Sequence, residues 1–452
     1  STGTVKVWGD AAANFEYAIV EFQDPFDIST LSIVSGSYGA FPEFTALMGG
    51  TVVDLDIVES STVQFHGTLT VSGFMAVDAS ASPEFWDDLV LTGATVANNG
   101  ELVFWGTNQI EVTTDGNNLG NIYVATSSPG FVSILDAWGN NNDGYIEVND
   151  GATLKFPDLA DLSGNSDFIV DPLGIVEFHA DTIFSDAVTN FNQHGLVRFV
   201  GGPLDVTLDG ADIGAVEIGI FAEVTVLDDV VATSDWTVKS NAELTCNASY
   251  TQKDGTLFIE VAGTAYMNGP FTTETDLVPP GGSLDLASGG GIHFRDNVSF
   301  LEADIIDNQG LLTFDGAVLQ GFTTNAMDVG SVQFVNTMGV NVTDVWASSA
   351  SGDVTVDPDA VVTFQAAATL ANQFFVDQDA TVHFTTAAPS FVGLVFIETG
   401  AVLSFSAGCD FSAATSVLSF GALHFVGAGS VSAIWAPTTY TYGDIVITRT
   451  GG

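Results

Sequence analysis

The sequence predicts an all-β protein, a β-solenoid of the parallel β-helix kind, with coils of about 20 residues and a stacked phenylalanine ladder. Three observations predict it. A short unit recurs: Gly or Ala, any residue, an aliphatic, any residue, Phe. It is written GLLTFDG at 310–316, GSVQFVN at 330–336, AVVTFQA at 360–366, ATVHFTT at 380–386, AVLSFSA at 401–407 and GALHFVG at 421–427. Within each unit the aliphatic and the Phe sit two apart with a polar residue between them, which is the alternation of a strand with one buried face. No stretch carries a convincing 3.6-residue apolar stripe, so helix is expected to be scarce.

Taken along the chain, residues 1–60 fit the repeat poorly and read as an irregular cap or docking segment, and the solenoid is assigned to 61–452. In the first half the Phe slot passes through Phe65, Phe104, Phe156, Phe178 and Phe199 at uneven steps. AEVTV (222–226) and AELTC (242–246) look like the same unit, with Val226 and Cys246 in the Phe slot. DLVPPGGS (276–283) is internal punctuation, a loop bulging from a coil or a boundary. From there Phe294, Phe314, Phe334, Phe364, Phe384, Phe405 and Phe425 follow at steps of 20, 20, 30, 20, 21 and 20, and they are expected to form one interior ladder. Gly or Ala at the head of the unit suits a tight corner or a close backbone approach. About 20 coils at roughly 4.8 Å each would make a rod on the order of 100 Å long. A series of β-sandwich domains would need turn signals every 8–12 residues or so, and the regular Phe slot argues against it.

Composition bounds the function. Asp and Glu total 56 against 7 Lys and Arg, a net charge of −49, which argues against nucleic acid and anionic membrane surfaces as partners. With 46% hydrophobic residues and 34 Phe, the chain is not disordered despite that charge. No apolar run approaches a membrane span, so no membrane insertion is expected. The chain starts at Ser1 without a signal peptide and reads as a processed mature segment or an excised piece. Few Lys, abundant Asp, Gly, Ser and Thr, and three Asn-x-Ser/Thr triplets at Asn247, Asn297 and Asn341 point to an extracellular or cell-surface setting.

This repeat pattern resembles that of secreted bacterial parallel β-helix surface proteins, the broad group that includes adhesin and autotransporter passengers, over about residues 61–452. The resemblance implies extracellular display, adhesion or assembly.

Candidate sites are few. GNNNDGYIEVND (139–150) has the spacing of a calcium loop, with Asn141, Asp143 and Asp150 at ligand positions; Gly139 replaces the expected first Asp, for which Asp136 would substitute. Bound Ca²⁺ competes there with a plain Asn/Gly-rich turn. Trp105 and the C-terminal Tyr440 and Tyr442 are candidate ligand-binding residues, because outward aromatics can stack on sugars or fill a subunit interface. Lys155, Glu177 and Arg198 share one outward slot and read as an alternating charge ladder. Glu223 and Glu243 match one coil apart, the arrangement a retaining glycosidase would need or simply two exposed acids. His293, His383 and His424 lie beside Phe slots and read as surface histidines; no catalytic residue can be assigned. Cys246 and Cys409, about eight coils apart, cannot meet in a disulfide, which needs Cα atoms within about 7 Å.

The preferred expectation is a non-enzymatic extracellular structural protein, a subunit of a filament, sheath or surface layer that self-associates head to tail through open solenoid ends. The alternatives are a monomeric adhesin or polysaccharide-binding rod and, third, a polysaccharide lyase or hydrolase. Calcium is the one cofactor considered.

Overall fold

The computed structural model describes residues 4–8, 19–22, 26–34, 43–46 and 50–58 and, from 62 onward, all but 127–128, 140–143, 165–166, 185–190, 194, 275–281, 301–305, 348–351, 387, 428–431, 436, 438 and 450–452. All regular structure among them is β, and the paired strands run parallel, so each is hydrogen-bonded to its counterpart one coil away. This is a parallel β-solenoid, and its contacts divide it into two compact units, residues 1–217 and 218–452.

In the first unit one sheet begins with Thr4–Trp8, Phe26–Val34, Gly50–Val58 and Leu69–Val77, and a second begins with Ile19–Phe22, Glu43–Ala46 and Thr62–Phe65. The described strands of 1–60 are therefore stacked like the later ones: Val5 lies opposite Leu31, Leu31 opposite Leu55, and Leu55 opposite Met75. They escape the repeat in sequence because they are long. Phe26–Val34 and Gly50–Val58 have nine residues each, against four in Thr153–Phe156. Two interior stacks fill this unit. Phe65, Phe85 and Phe104 stand 5.4 and 5.3 Å apart, and Phe156, Phe178 and Phe199 stand 5.3 and 5.7 Å apart on the other sheet.

In the second unit most coils give one strand to each of three faces, as in Thr256–Ile259, Thr264–Met267 and Phe271–Thr273, then Ser283–Leu286, Gly291–Phe294 and Val298–Phe300. The middle face carries the expected column: Val226 opposite Cys246, Cys246 opposite Met267, Met267 opposite Phe294, then Phe314 and Phe334. All six are at most 1% exposed. Phe294 and Phe314 are 5.4 Å apart, and Phe314 and Phe334 5.2 Å. Each such contact contributes roughly 0.5–1.5 kcal/mol beyond area burial.

The seven Phe do not form one ladder. Phe334 lies opposite Val356, while Phe364 lies opposite Val342 on the next face and starts a second column through Phe384, Phe405 and Phe425. The 30-residue step is the signature of that change: one coil carries the column to Val356, and Phe364 follows eight residues later around the corner. Trp346, fully buried, spans the two columns at 5.9 Å from Phe334 and 5.5 Å from Phe364. The punctuation at 276–281 lies outside the described residues, and Ser283 already opens a strand.

The small residue heading each unit is set by close approach. A Cβ on Gly310 would stand 2.2 Å from the Gly290 carbonyl oxygen, and one on Gly421 2.4 Å from that of Ala401. Unusual backbone angles fall one residue earlier in several coils, at Asn241 (φ 59°) and Asp379 (φ 59°) for example, while Gly330 adopts one itself (φ 68°). Gly310→Ala is expected to lower the urea midpoint by the equivalent of roughly 1–3 kcal/mol through overpacking, whereas Ala380→Gly at the equivalent corner, which removes a methyl and creates no clash, is expected to cost about 1 kcal/mol or less; paired chemical melts read both.

Cys246 and Cys409 are both buried and unbonded, as the coil count requires. Burial pushes each thiol up to about 12. Neither is expected to react with iodoacetamide at neutral pH until the protein unfolds, and mass spectrometry across a urea series would register both alkylations together with the melt.

Candidate functional site

Stacked coils place outward residues in columns, and in the first unit two such columns carry chemistry. Lys155 lies opposite Glu177 and Glu177 opposite Arg198, as the sequence predicts. Lys155 Nζ is 2.9 Å from Glu177 Oε2, Arg198 Nη1 is 2.9 Å from Glu177 Oε1, and Arg198 Nε continues to Glu217 Oε1 at 2.6 Å. Burial pushes the Glu177 carboxyl up, but hydrogen bonds and charge from Lys155 and Arg198 outweigh it and hold it below the usual glutamate value.

The second column is aromatic. His66 stacks on Trp86 at 5.1 Å, Trp86 on Trp105 at 6.3 Å, and Tyr123 tilts against Trp105 at 6.4 Å. Trp105 faces outward and is half-buried, with Trp86 stacked on its ring and Tyr123 tilted against it. These contacts between successive coils help hold register.

The calcium expectation divides. Asn141 and Asp143 lie outside the described residues. The Asp136 carboxylate accepts hydrogen bonds from the Thr114 backbone N–H (2.8 Å), the Thr114 hydroxyl (2.9 Å) and the Asp115 N–H (2.5 Å), closing the turn of the coil before it. Asp150 accepts from the Leu173 N–H at 3.2 Å. Among the described residues no three His, Cys, Asp or Glu side chains converge.

In the second unit Glu223 and Glu243 are opposite each other, both exposed. Neither makes a side-chain hydrogen bond or ion pair among the described residues. His293 is better connected than a solvated surface histidine. Its ring stacks on Tyr266 at 4.8 Å, and its Nδ1 is 3.0 Å from Asp315 Oδ2. Arg295 Nε is 3.5 Å from Asp315 Oδ1, Arg295 lies over the Tyr266 ring, and its Nη1 donates to Asn268 Oδ1 at 3.0 Å. Sequence reasoning missed this cluster because its members come from three coils, though the fixed step of 20–27 residues would have found it. His383 is separated from His424 by Ser404, and burial pushes its imidazole below the usual value.

Beside the His293 cluster, on the same face, a groove of about 620 Å³ crosses five coils. Gly289, Gly290, Gly291 and Gly310 form its floor, and Thr264, Gln309, Ser331, Gln333, Asp353 and Thr355 supply polar groups to its walls. At the last described coil, Tyr440 and Tyr442 stack at 5.3 Å, with Trp435 4.9 Å from Tyr442.

Not all columns are balanced. Asp377 is pushed up by burial and by the charges of Glu398 and Asp357 on adjoining coils. The two carboxylates thus give opposite pH behaviour. Glu177, depressed in the fold, stabilises above the ordinary glutamate pKa, and that contribution is lost as pH falls through its folded value. Glu177→Gln is expected to cost roughly 1–3 kcal/mol at pH 7, a deficit that vanishes on acidification. Asp377, raised in the fold, destabilises at neutral pH. Asp377→Asn is expected to raise stability by up to about 1 kcal/mol, a gain that disappears once pH falls below the ordinary aspartate value. Thermal melts of both variants from pH 3 to 7 or so decide this.

No protein-family model, curated protein or solved structure matches the chain.

Proposed function

We propose that the chain is an extracellular structural protein, a subunit of a cell-surface filament, sheath or surface layer that adds copies of itself through an open solenoid end. The observation that supports this is the last described coil. Tyr440 lies opposite Val417, Ile445 opposite Leu423 and Ile447 opposite Phe425. The inner three are 0%, 1% and 9% exposed, whereas Tyr440, Ile445 and Ile447 are 59%, 54% and 75% exposed. These are core slots that the next coil covers elsewhere in the unit. Among the described residues the strand Asp444–Arg449 pairs on one side only, with Ala422–Gly427, which leaves its other edge of N–H and C=O groups without a described partner strand.

An added coil with inward aliphatics satisfies both the edge and the slots, and a second copy of this chain has such coils throughout. Addition of this kind is heterologous and does not close, so it propagates as a fibre. The charge of −49 would hold neighbouring fibres apart and keep them soluble. Calcium enters this proposal only through the 136–150 segment, so its effect is measured directly.

Negative-stain electron microscopy and sedimentation of the purified chain, with and without millimolar calcium, are expected to show fibres. Ile447→Asp, which places a charge in an open core slot, is expected to leave monomers with an unchanged β circular dichroism spectrum. A monodisperse wild-type monomer under both conditions would overturn the proposal.

A further inference from the structure

The groove on the second unit's middle face has one feature that packing does not require. Gly290 and Gly310 are forced, because a Cβ on either would strike carbonyl oxygens of the neighbouring coil at 2.9 and 2.2 Å. Gly291 is different. Its backbone is not in the left-handed region, and a Cβ there would find nothing nearer than the Leu311 carbonyl oxygen at 3.9 Å. It occupies an outward strand position, opposite Thr264 on one side and Leu311 on the other, where glycine weakens a strand and a side chain would strengthen it. A bare backbone at Gly291 is what keeps the groove open.

The walls are polar and incompletely partnered. The half-buried Thr264 and Thr355 hydroxyls and the exposed Gln309 amide make no side-chain hydrogen bond among the described residues. Hydroxyls and amides donate and accept, which suits a ligand that does both at short intervals. Leu311, 37% exposed, adds an apolar contact on the floor. The lining holds no Lys or Arg and includes Asp353, while the nearby Arg295 is committed to Asp315 and Asn268. An anionic chain would meet only repulsion. From Thr264 to Thr355 the groove crosses four coil steps, about 20 Å, so it takes an extended ligand.

We propose that this groove binds a neutral polysaccharide, laid along the coils over Gly291. The site lies on the side of the coils, so it does not depend on addition at the solenoid end.

The test is affinity electrophoresis and titration calorimetry of the Ile447→Asp chain, used to remove fibre formation, against a neutral β-glucan, a galactomannan and polygalacturonate. Binding to a neutral glycan is expected, with none to polygalacturonate. Gly291→Phe places a ring over the groove from a position where a Cβ meets nothing nearer than 3.9 Å, so it is expected to reduce affinity at least about tenfold while the urea midpoint is held or raised. Thr355→Ala is expected to weaken binding, and Trp105→Ala to leave it unchanged. The proposal is overturned by absence of binding to both neutral glycans, by binding that survives Gly291→Phe, or by preference for the uronate.

Discussion

Every feature of this molecule depends on the parallel hydrogen-bonded pairing of each strand with its counterpart one coil away. That pairing fixes the separation of equivalent residues at about 4.8 Å and so forces like to stack on like. A residue chosen for one coil becomes the packing surface of the next. Phenylalanine suits this rule, because a flat ring buried above another ring fills the interior and fixes register together. Smaller columns such as Val226, Cys246 and Met267 obey the same rule with less area, and Phe294 and Phe314 take over where they end.

The same rule is a hazard for charge. A chain with 56 acidic residues risks placing carboxylate on carboxylate, and Asp285 opposite Asp307 is such a pair, with the Asp285 carboxyl pushed up by burial and then by its neighbour. Two devices limit the damage. One spends scarce cations where they count double, as Arg198 does between Glu177 and Glu217. The other turns acids into clasps between coils: Asp88 accepts the Glu111 N–H, Asp229 the Ser249 N–H and hydroxyl, Asp344 the Thr324 N–H. Such bonds satisfy backbone donors at corners where strand pairing stops. Much of the acidity is thus structural.

Both proposals rest on places where the rule is relaxed. At the last described coil no described strand covers the column, and Tyr440, Ile445 and Ile447 in core slots are exposed. At Gly291 a column of side chains is interrupted by bare backbone, and a groove results. Trp105 proves to be held between its neighbours, and the polar walls around Gly291 are quieter in sequence but more open in space.

The sequence by itself determined the period, the inward and outward alternation, the Lys155–Glu177–Arg198 order and the separation of the two cysteines, because a solenoid repeats local chemistry at fixed steps. It assigned the solenoid to 61–452, whereas the described strands before residue 60 stack in the same sheets, hidden in the sequence by their different length. Tertiary structure decided which face each Phe occupies, since a 30-residue step alone cannot distinguish a long coil from a coil plus a corner. It also decided that His293, Arg295 and Asp315 meet, that Gly291 opens a groove while Gly310 relieves a clash, and that Ile445 and Ile447 are bare. Each of these depends on what lies one coil above or below, a distance of about 4.8 Å in space but some twenty residues away in the chain.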